Sequence, residues 1–300
     1  MPTRAASRKP SLAPPRSTLL QARKEYSKCA KALERGISTS GLTPGLSEGI
    51  IGVGIALDWV RRAAEMEQIT YIGENLNSSE HRQRFTEFIR FGFAWFGLNA
   101  IFSRPSLLTQ VGTPSGPSEF ARFRVLFDAG PIPDAATIEA ELRALLDTPT
   151  TPRLPRPPGM PSGTSVTTLR AIHLKYVPAG THHGACAAAL ASAANSGSAA
   201  ALDLPTMLYG FRNWSVHGNA LDGCFGSHPR YVRYVQLLTT VLAEVHLNTA
   251  QVLRVACEPP INPRAPPGSA WRGRHLDPLP EAPSSTGLRG ASGELLRAPR

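Results

Sequence analysis

Proline limits this chain more than any other residue, because inside a helix or strand it removes a backbone donor and clashes with the preceding turn. Of 28 prolines in 300 residues, 19 fall in three stretches: four in residues 1–18, six in 148–161 and nine in 258–300. The two outer stretches have no periodic apolar pattern and read as disordered tails, since they bury too little apolar surface to offset the entropy of ordering. The inner one reads as a polyproline-like linker or surface loop. Regular structure is therefore expected within residues 19–257, in two helical regions separated by the linker.

Periodicity and capping signals fill those regions almost entirely with helix. Residues 18–35 read as a basic helix. Ser47 is the expected N-cap of a second helix running to about Gln68, and Ser78 and Ser79 precede a third that runs to Phe102. In that third helix Phe85, Phe88, Ile89, Phe93, Phe96, Ala100 and Ile101 recur at helical spacing and predict a buried core element. Shorter helices are expected over Ser118–Asp128 and Asp134–Leu146, with the Ala-rich run Gly184–Ala194 a further helical stretch. Asp203 as cap and Pro205 in the first turn open a helix to about His217, stopped by Gly218. Tyr231, Val235, Leu238, Val241, Leu242, Val245 and Leu253 mark a long last helix from Pro229 to Cys257, ended by Pro259 and Pro260. Strand signals are nearly absent, apart from an ambiguous Thr164–Val177. The expected fold class is all-α.

The formal charge of +10 invites a nucleic-acid reading of the whole surface, but six of those charges sit in the two tails, leaving +4 for residues 19–257. Bulk charge is too small there to argue binding without a local site. No apolar run approaches the roughly 18 residues of a membrane span, and Pro10, Pro14 and Pro15 stand where a secretory signal would place its apolar segment. The chain reads as cytoplasmic, with no membrane partner. Cys29, Cys186, Cys224 and Cys257 form no Cys-x-x-Cys pair and read as reduced thiols. The run Gly49-Ile-Ile-Gly-Val-Gly54 lacks the preceding strand, the spacing and the lysine of a phosphate-binding loop. His182, His183 and Cys186 have no second ligand pair at zinc spacing, and no Gly-x-Ser-x-Gly elbow occurs. Arg61, Arg62, Arg82 and Arg84 read as solvated helix faces. No metal or other cofactor is implied.

One stretch carries chemistry: Tyr209-Gly-Phe-Arg212-Asn213-Trp-Ser-Val-His217-Gly218. With 27 arginines and 8 histidines in the chain, a bare Arg-x4-His spacing carries no weight. The context does: the pair lies in the last turns of a predicted helix, with Asn213 beside the arginine and a strongly apolar helix following. A guanidinium presents a fixed fork of donors to phosphate oxygens and keeps its charge, while histidine exchanges protons near neutral pH. Those are the parts needed to cleave an RNA phosphodiester without a metal. Arg212 and His217 stand about 140° apart around a helix, whereas Asn213 and His217 are i, i+4 neighbours. A site using both therefore needs the reach of arginine, a distorted last turn, or a second motif across a two-fold axis. The alternative is structural, with Arg212 and Asn213 making surface and capping bonds and His217 satisfying the last carbonyls of the helix.

Tyr-x-x-Arg-Asn-x-x-x-His-Gly followed by a long apolar helix resembles the HEPN superfamily, helical domains of prokaryotic toxin, antiviral and RNA-processing systems. The upstream block Phe85–Ser103, FTEFIRFGFAWFGLNAIFS, is similar to the aromatic core helix of that family, with Asn99 as its polar residue. The resemblance covers residues 78–104 and 203–257. It implies an up-and-down helical bundle, a homodimer, and a metal-independent endoribonuclease whose catalytic pair is Arg212 and His217, with Asn213 adjacent and Asn99 assisting. RNA is the implied substrate and an antitoxin protein a further partner, in a toxin or antiviral defence role. Residues 105–202 are more than a compact member of the family needs and read as an insertion. A non-catalytic binding or dimerisation module on the same bundle is the competing expectation. A DNA-binding regulator has little behind it, since no recognition-helix pattern gathers arginine on one face.

Overall fold

The computed structural model describes residues 15–70, 78–150, 167–168, 203–216 and 228–258. The chain divides into two units, residues 1–259 and 260–300, and every described residue lies in the first. Both Pro-rich tails, apart from residues 15–18 and Glu258, and the Ala-rich run 184–194 lie outside the described residues.

Eight helices account for nearly all that is described, as the all-α expectation requires: α1 (Pro15–Ser40), α2 (Pro44–Glu65), α3 (Ser79–Phe102), α4 (Pro105–Val111), α5 (Glu119–Phe127), α6 (Ala135–Asp147), α7 (Leu204–Val216) and α8 (His228–Cys257). A two-residue antiparallel ladder joins Pro149–Thr150 to Thr167–Thr168, with Pro149 opposite Thr168. It takes two residues from the Pro-rich linker and two from the ambiguous strand segment.

Helix starts follow local chemistry, and two of them correct the sequence reading. Helix α1 begins at Pro15, inside the stretch read as a tail. Thr18 is buried and donates its hydroxyl to Glu244 Oε1 at 3.0 Å, and Leu19, Ala22, Tyr26, Cys29 and Leu33 continue one buried stripe at alternating spacings of three and four. Helix α2 starts at Pro44, before the expected Ser47 cap, because Thr43 Oγ1 accepts the Leu46 N–H and proline suits the first helical position. It ends at Glu65, ahead of the expected Gln68. There the Arg90 side chain caps it, Nε donating to the Ala63 carbonyl at 3.1 Å and Nη2 to that of Met66 at 2.7 Å. Ser78 caps α3 as expected, its Oγ accepting the His81 N–H. Asp134 precedes α6 but sits at φ 56° and makes no side-chain capping bond.

The buried stripe of α3 also differs from the expected one. Phe91, Ala94, Trp95, Leu98, Ile101 and Phe102 enter the core, while Phe85, Phe88, Ile89 and Phe93 are half-buried and Phe96 is 44% exposed. From Phe88 on this helix is apolar nearly all round, so spacing alone does not choose its inner face. Gly49 and Gly52 lie inside α2 and serve packing: a Cβ on Gly52 would stand 2.7 Å from Arg104 Cδ.

Contacts give the directions of the helices. Gly49 packs on Leu33, Arg23 pairs with Glu65, and Trp59 meets Phe93 at 5.0 Å between centroids, so α1, α2 and α3 alternate up, down, up. Helix α8 instead runs with α1, since Thr18 meets Glu244, Glu25 meets Arg254 and Cys29 meets Cys257 in the same order along both. A short loop forces antiparallel neighbours, whereas the long connection from 103 to 227 leaves the last helix free to return parallel. The first part of the stretch read as an insertion, 105–147, folds as α4, α5 and α6, which put Leu107, Phe123, Leu126, Ile138 and Leu142 into the common core.

At the centre, His246 is fully buried. Its Nε2 donates to the Ala94 carbonyl at 2.7 Å, and its Nδ1 accepts from the Tyr26 hydroxyl at 3.1 Å, which ties α1, α3 and α8 together. Burial pushes the imidazole down to about 4 and raises the Tyr26 phenol. Cys29 and Cys257 are free thiols with sulfurs 3.6 Å apart, also buried; Cys186 and Cys224 lie outside the described residues. No helix among the described residues is long and apolar enough to cross a membrane.

Candidate functional site

Helix α7 carries the motif. Its preceding residue, Asp203, accepts the Met207 N–H through its carbonyl, and its carboxylate takes the Thr206 hydroxyl and Arg124 Nη1. From Leu204 to Phe211 the helix is buried, with Phe211 packed edge-on against Phe91 at 4.8 Å and Tyr234 at 5.7 Å. Arg212 and Asn213 come next and are the first residues of α7 to be only half-buried.

Four contacts fix the guanidinium of Arg212. Nη1 donates to Asn213 Oδ1 at 2.6 Å, and Nη2 stands 3.3 Å from Glu119 Oε1. The group also lies 5.9 Å from the Trp95 ring centroid and 5.8 Å from that of Tyr209, the two rings themselves 5.8 Å apart, within the range of cation–π attraction. An arginine carries five N–H donors, and these two contacts use the amino ends of the fork. The Nε of Arg212 and the Nε1 of Trp95 are buried without a hydrogen-bond partner among the described residues. Burial and the nearby Glu119 carboxylate raise the Tyr209 phenol.

Glu119 is the residue of this candidate site that sequence reasoning missed. It is the first residue of α5, behind Ser118, whose Oγ accepts the Ala121 N–H at 3.1 Å. Read locally, an acid there is a helix-dipole partner; its pairing with a distant arginine leaves no mark in spacing.

Beside Arg212, a groove of about 130 Å³ opens along α3, with an almost wholly apolar lining that includes Phe88, Ile89, Gly92, Phe96 and Arg212. Asn99 lies about one helical turn beyond Trp95 and lines a second hollow with Ile55, Trp59, Ser103 and Arg104; Phe96 borders both. The structure thus brings Arg212 and Asn213 together and places Asn99 in a neighbouring hollow. His217 lies outside the described residues. Of the arginines read as solvated faces, Arg61 and Arg62 pair with Asp58, and Arg62 also covers Trp59. Among the described residues no group of three metal-ligating side chains forms.

The arrangement holds one oriented cation beside an apolar groove, five positions ahead of a histidine in sequence. In comparisons with known proteins, no family model matches the chain, no curated protein matches its sequence and no solved structure matches its fold.

Proposed function

We propose that the protein is a metal-independent endoribonuclease of the HEPN type. The observation that carries this reading is the held guanidinium of Arg212, fixed by Asn213 and Glu119 and 23% exposed at a groove edge. In the reaction the 2′-oxygen of a ribose attacks the adjacent phosphorus and the bond from phosphorus to the 5′-oxygen breaks. The 2′-hydroxyl gives up a proton and the leaving 5′-oxygen gains one, so the products are a 2′,3′-cyclic phosphate and a 5′-hydroxyl. Arg212 stabilises the negative charge developing on the phosphate oxygens, His217 exchanges a proton, and Asn213 orients the arginine. Asn99 assists from the neighbouring hollow.

A homodimer suits this chemistry, since it supplies a second motif. Ile51, Ile55 and Phe96, exposed by 50, 37 and 44% on α2 and α3, offer an apolar surface for a second copy. A toxin or antiviral role, with an antitoxin protein as partner, is the setting that the motif suggests.

The test is incubation of purified protein with single-stranded RNA in EDTA. The wild type should cut and His217→Ala should not. Equal cleavage by both would sink the assignment. A second reading rests on the Arg212–Glu119 pair, which balances the arginine's charge inside the fold and joins α5 to α7: the bundle is then a non-catalytic binding or dimerisation module, and neither protein cuts.

A further inference from the structure

The thiols of Cys29 and Cys257 take no part in the chemistry proposed for Arg212. They are 0 and 6% exposed, and the Cys29 S–H donates to the Cys257 sulfur at 3.6 Å. A cysteine that only fills space acts as a small apolar side chain, and two of them 228 positions apart need not touch to do so. Here they touch, with Cys257 as the last residue of α8 and Cys29 in the middle of α1. The two helices run parallel, and an ion pair beside the sulfurs holds their register. Arg254, one turn before Cys257, brings Nε to 2.7 Å from Oε2 of Glu25, one turn before Cys29, and also pairs with Glu258. The sulfurs therefore stand opposed, and reaching a disulfide length of about 2.05 Å requires them to close by about 1.6 Å.

Access and reactivity separate the two thiols. The last turn of a helix lacks backbone partners and opens before the centre does, so the end of α8 is where a small oxidant reaches a sulfur. The hydrogen bond from Cys29 lowers the Cys257 thiol below its ordinary range, and the same bond together with burial raises Cys29. The thiolate is the form that attacks. Cys257 is thus the attacking sulfur and Cys29 the resolving one. We propose that Cys29 and Cys257 form a reversible oxidation site, which a small hydroperoxide converts to an intramolecular disulfide that clamps the end of α8 to α1. First the Cys257 sulfur attacks a peroxide oxygen: an S–O bond forms, the O–O bond breaks, and the departing oxygen takes up the thiol proton to leave as an alcohol, or as water from hydrogen peroxide. Then the Cys29 sulfur attacks the resulting sulfenic acid: the S–S bond forms, the S–O bond breaks, and the hydroxide leaves as water with the Cys29 proton. The two sulfurs lose two electrons in all and the hydroperoxide gains them. None of these steps depends on the RNA reading above.

The full chain, folded at neutral pH, is treated with excess hydrogen peroxide and mapped as peptides without reduction. Cys29 should be joined to Cys257 within one chain, and a reductant should return both thiols. Closing so long a loop should raise Tm by about 5–10 °C, a rise that the reductant abolishes. Cys257→Ala should show neither the link nor the rise. In Cys29→Ala, Cys257 should accumulate as sulfenic acid and its further oxides, as an attacking thiol without a resolving partner does. Should either variant fold poorly, the map of the wild type decides alone. Thiols that stay free, sulfinic acid on Cys257 with Cys29 unlinked, or a link from either cysteine to Cys186, Cys224 or a second copy of the chain would each overturn the site. So would a link that forms only in urea, or one that leaves Tm unchanged and therefore clamps nothing.

Discussion

Arg212 on α7 and Glu119 at the start of α5 bring Nη2 and Oε1 to 3.3 Å, with their side chains 23 and 32% exposed. The carboxylate orients the guanidinium and also competes with any anion that approaches it. Glu119→Gln keeps the shape of the side chain while the competing charge is gone. Single-stranded RNA should then bind severalfold more tightly at low salt. The slope of log affinity against log salt should steepen by about 0.7, as for one more cation available to the strand. A titration series at several salt concentrations checks this, and equal or weaker binding by Glu119→Gln would count against the anion role of Arg212.

His246 makes stability depend on pH. The unfolded chain protonates this imidazole below about 6.5, while burial in the folded state delays protonation to about 4. Between those values the unfolded state binds more protons, so stability is full above pH 6.5, falls as the pH drops, and levels off below 4. The loss amounts to roughly 3 kcal/mol. Urea unfolding at neutral pH and near pH 4.5 should show most of it, and His246→Gln should remove that part of the difference, because a glutamine has no proton to gain.

Gly97 stands against the same imidazole. A Cβ there would lie 2.8 Å from His246 Cε1 and 3.4 Å from Val60 Cγ2, and both neighbours are fully buried. Gly97→Ala should cost about 1–3 kcal/mol by overpacking and lower Tm by several degrees. Gly54→Ala, on α2 where the added methyl meets nothing within 4 Å, should instead raise stability by roughly 0.5–1 kcal/mol through helix propensity. Thermal melts of both variants compare the two effects directly.

How much of this was legible in the sequence depends on the range of the interaction involved. Local signals place α3 between Ser78 and Phe102, α5 after Ser118, α7 after Asp203 and α8 up to Cys257. The seven-residue α4 escapes, since Pro105 to Val111 is too short to show a period. Thr43–Pro44 outranks Ser47 as a helix start for a local reason that was readable. The face of α3 was not, because Phe96 and Phe91 are alike as residues and only the packing of α7 and α8 buries one and leaves the other at the surface. At the site, Arg212 and Asn213 are adjacent and were readable as a pair. Glu119 and the Trp95 ring reach Arg212 from other helices, and such proximity is a product of the fold.

The parallel pairing of α1 with α8 bears on the order in which the molecule is made. Thr18, Tyr26 and Cys29 meet a helix that is synthesised on the order of 200 residues later. Closing a loop of that length costs little more free energy than closing a shorter one, but it delays the event. During translation the inner face of α1 therefore waits, covered only in part by α2, until α8 has left the ribosome. Completion of the bundle thus waits for the synthesis of α8.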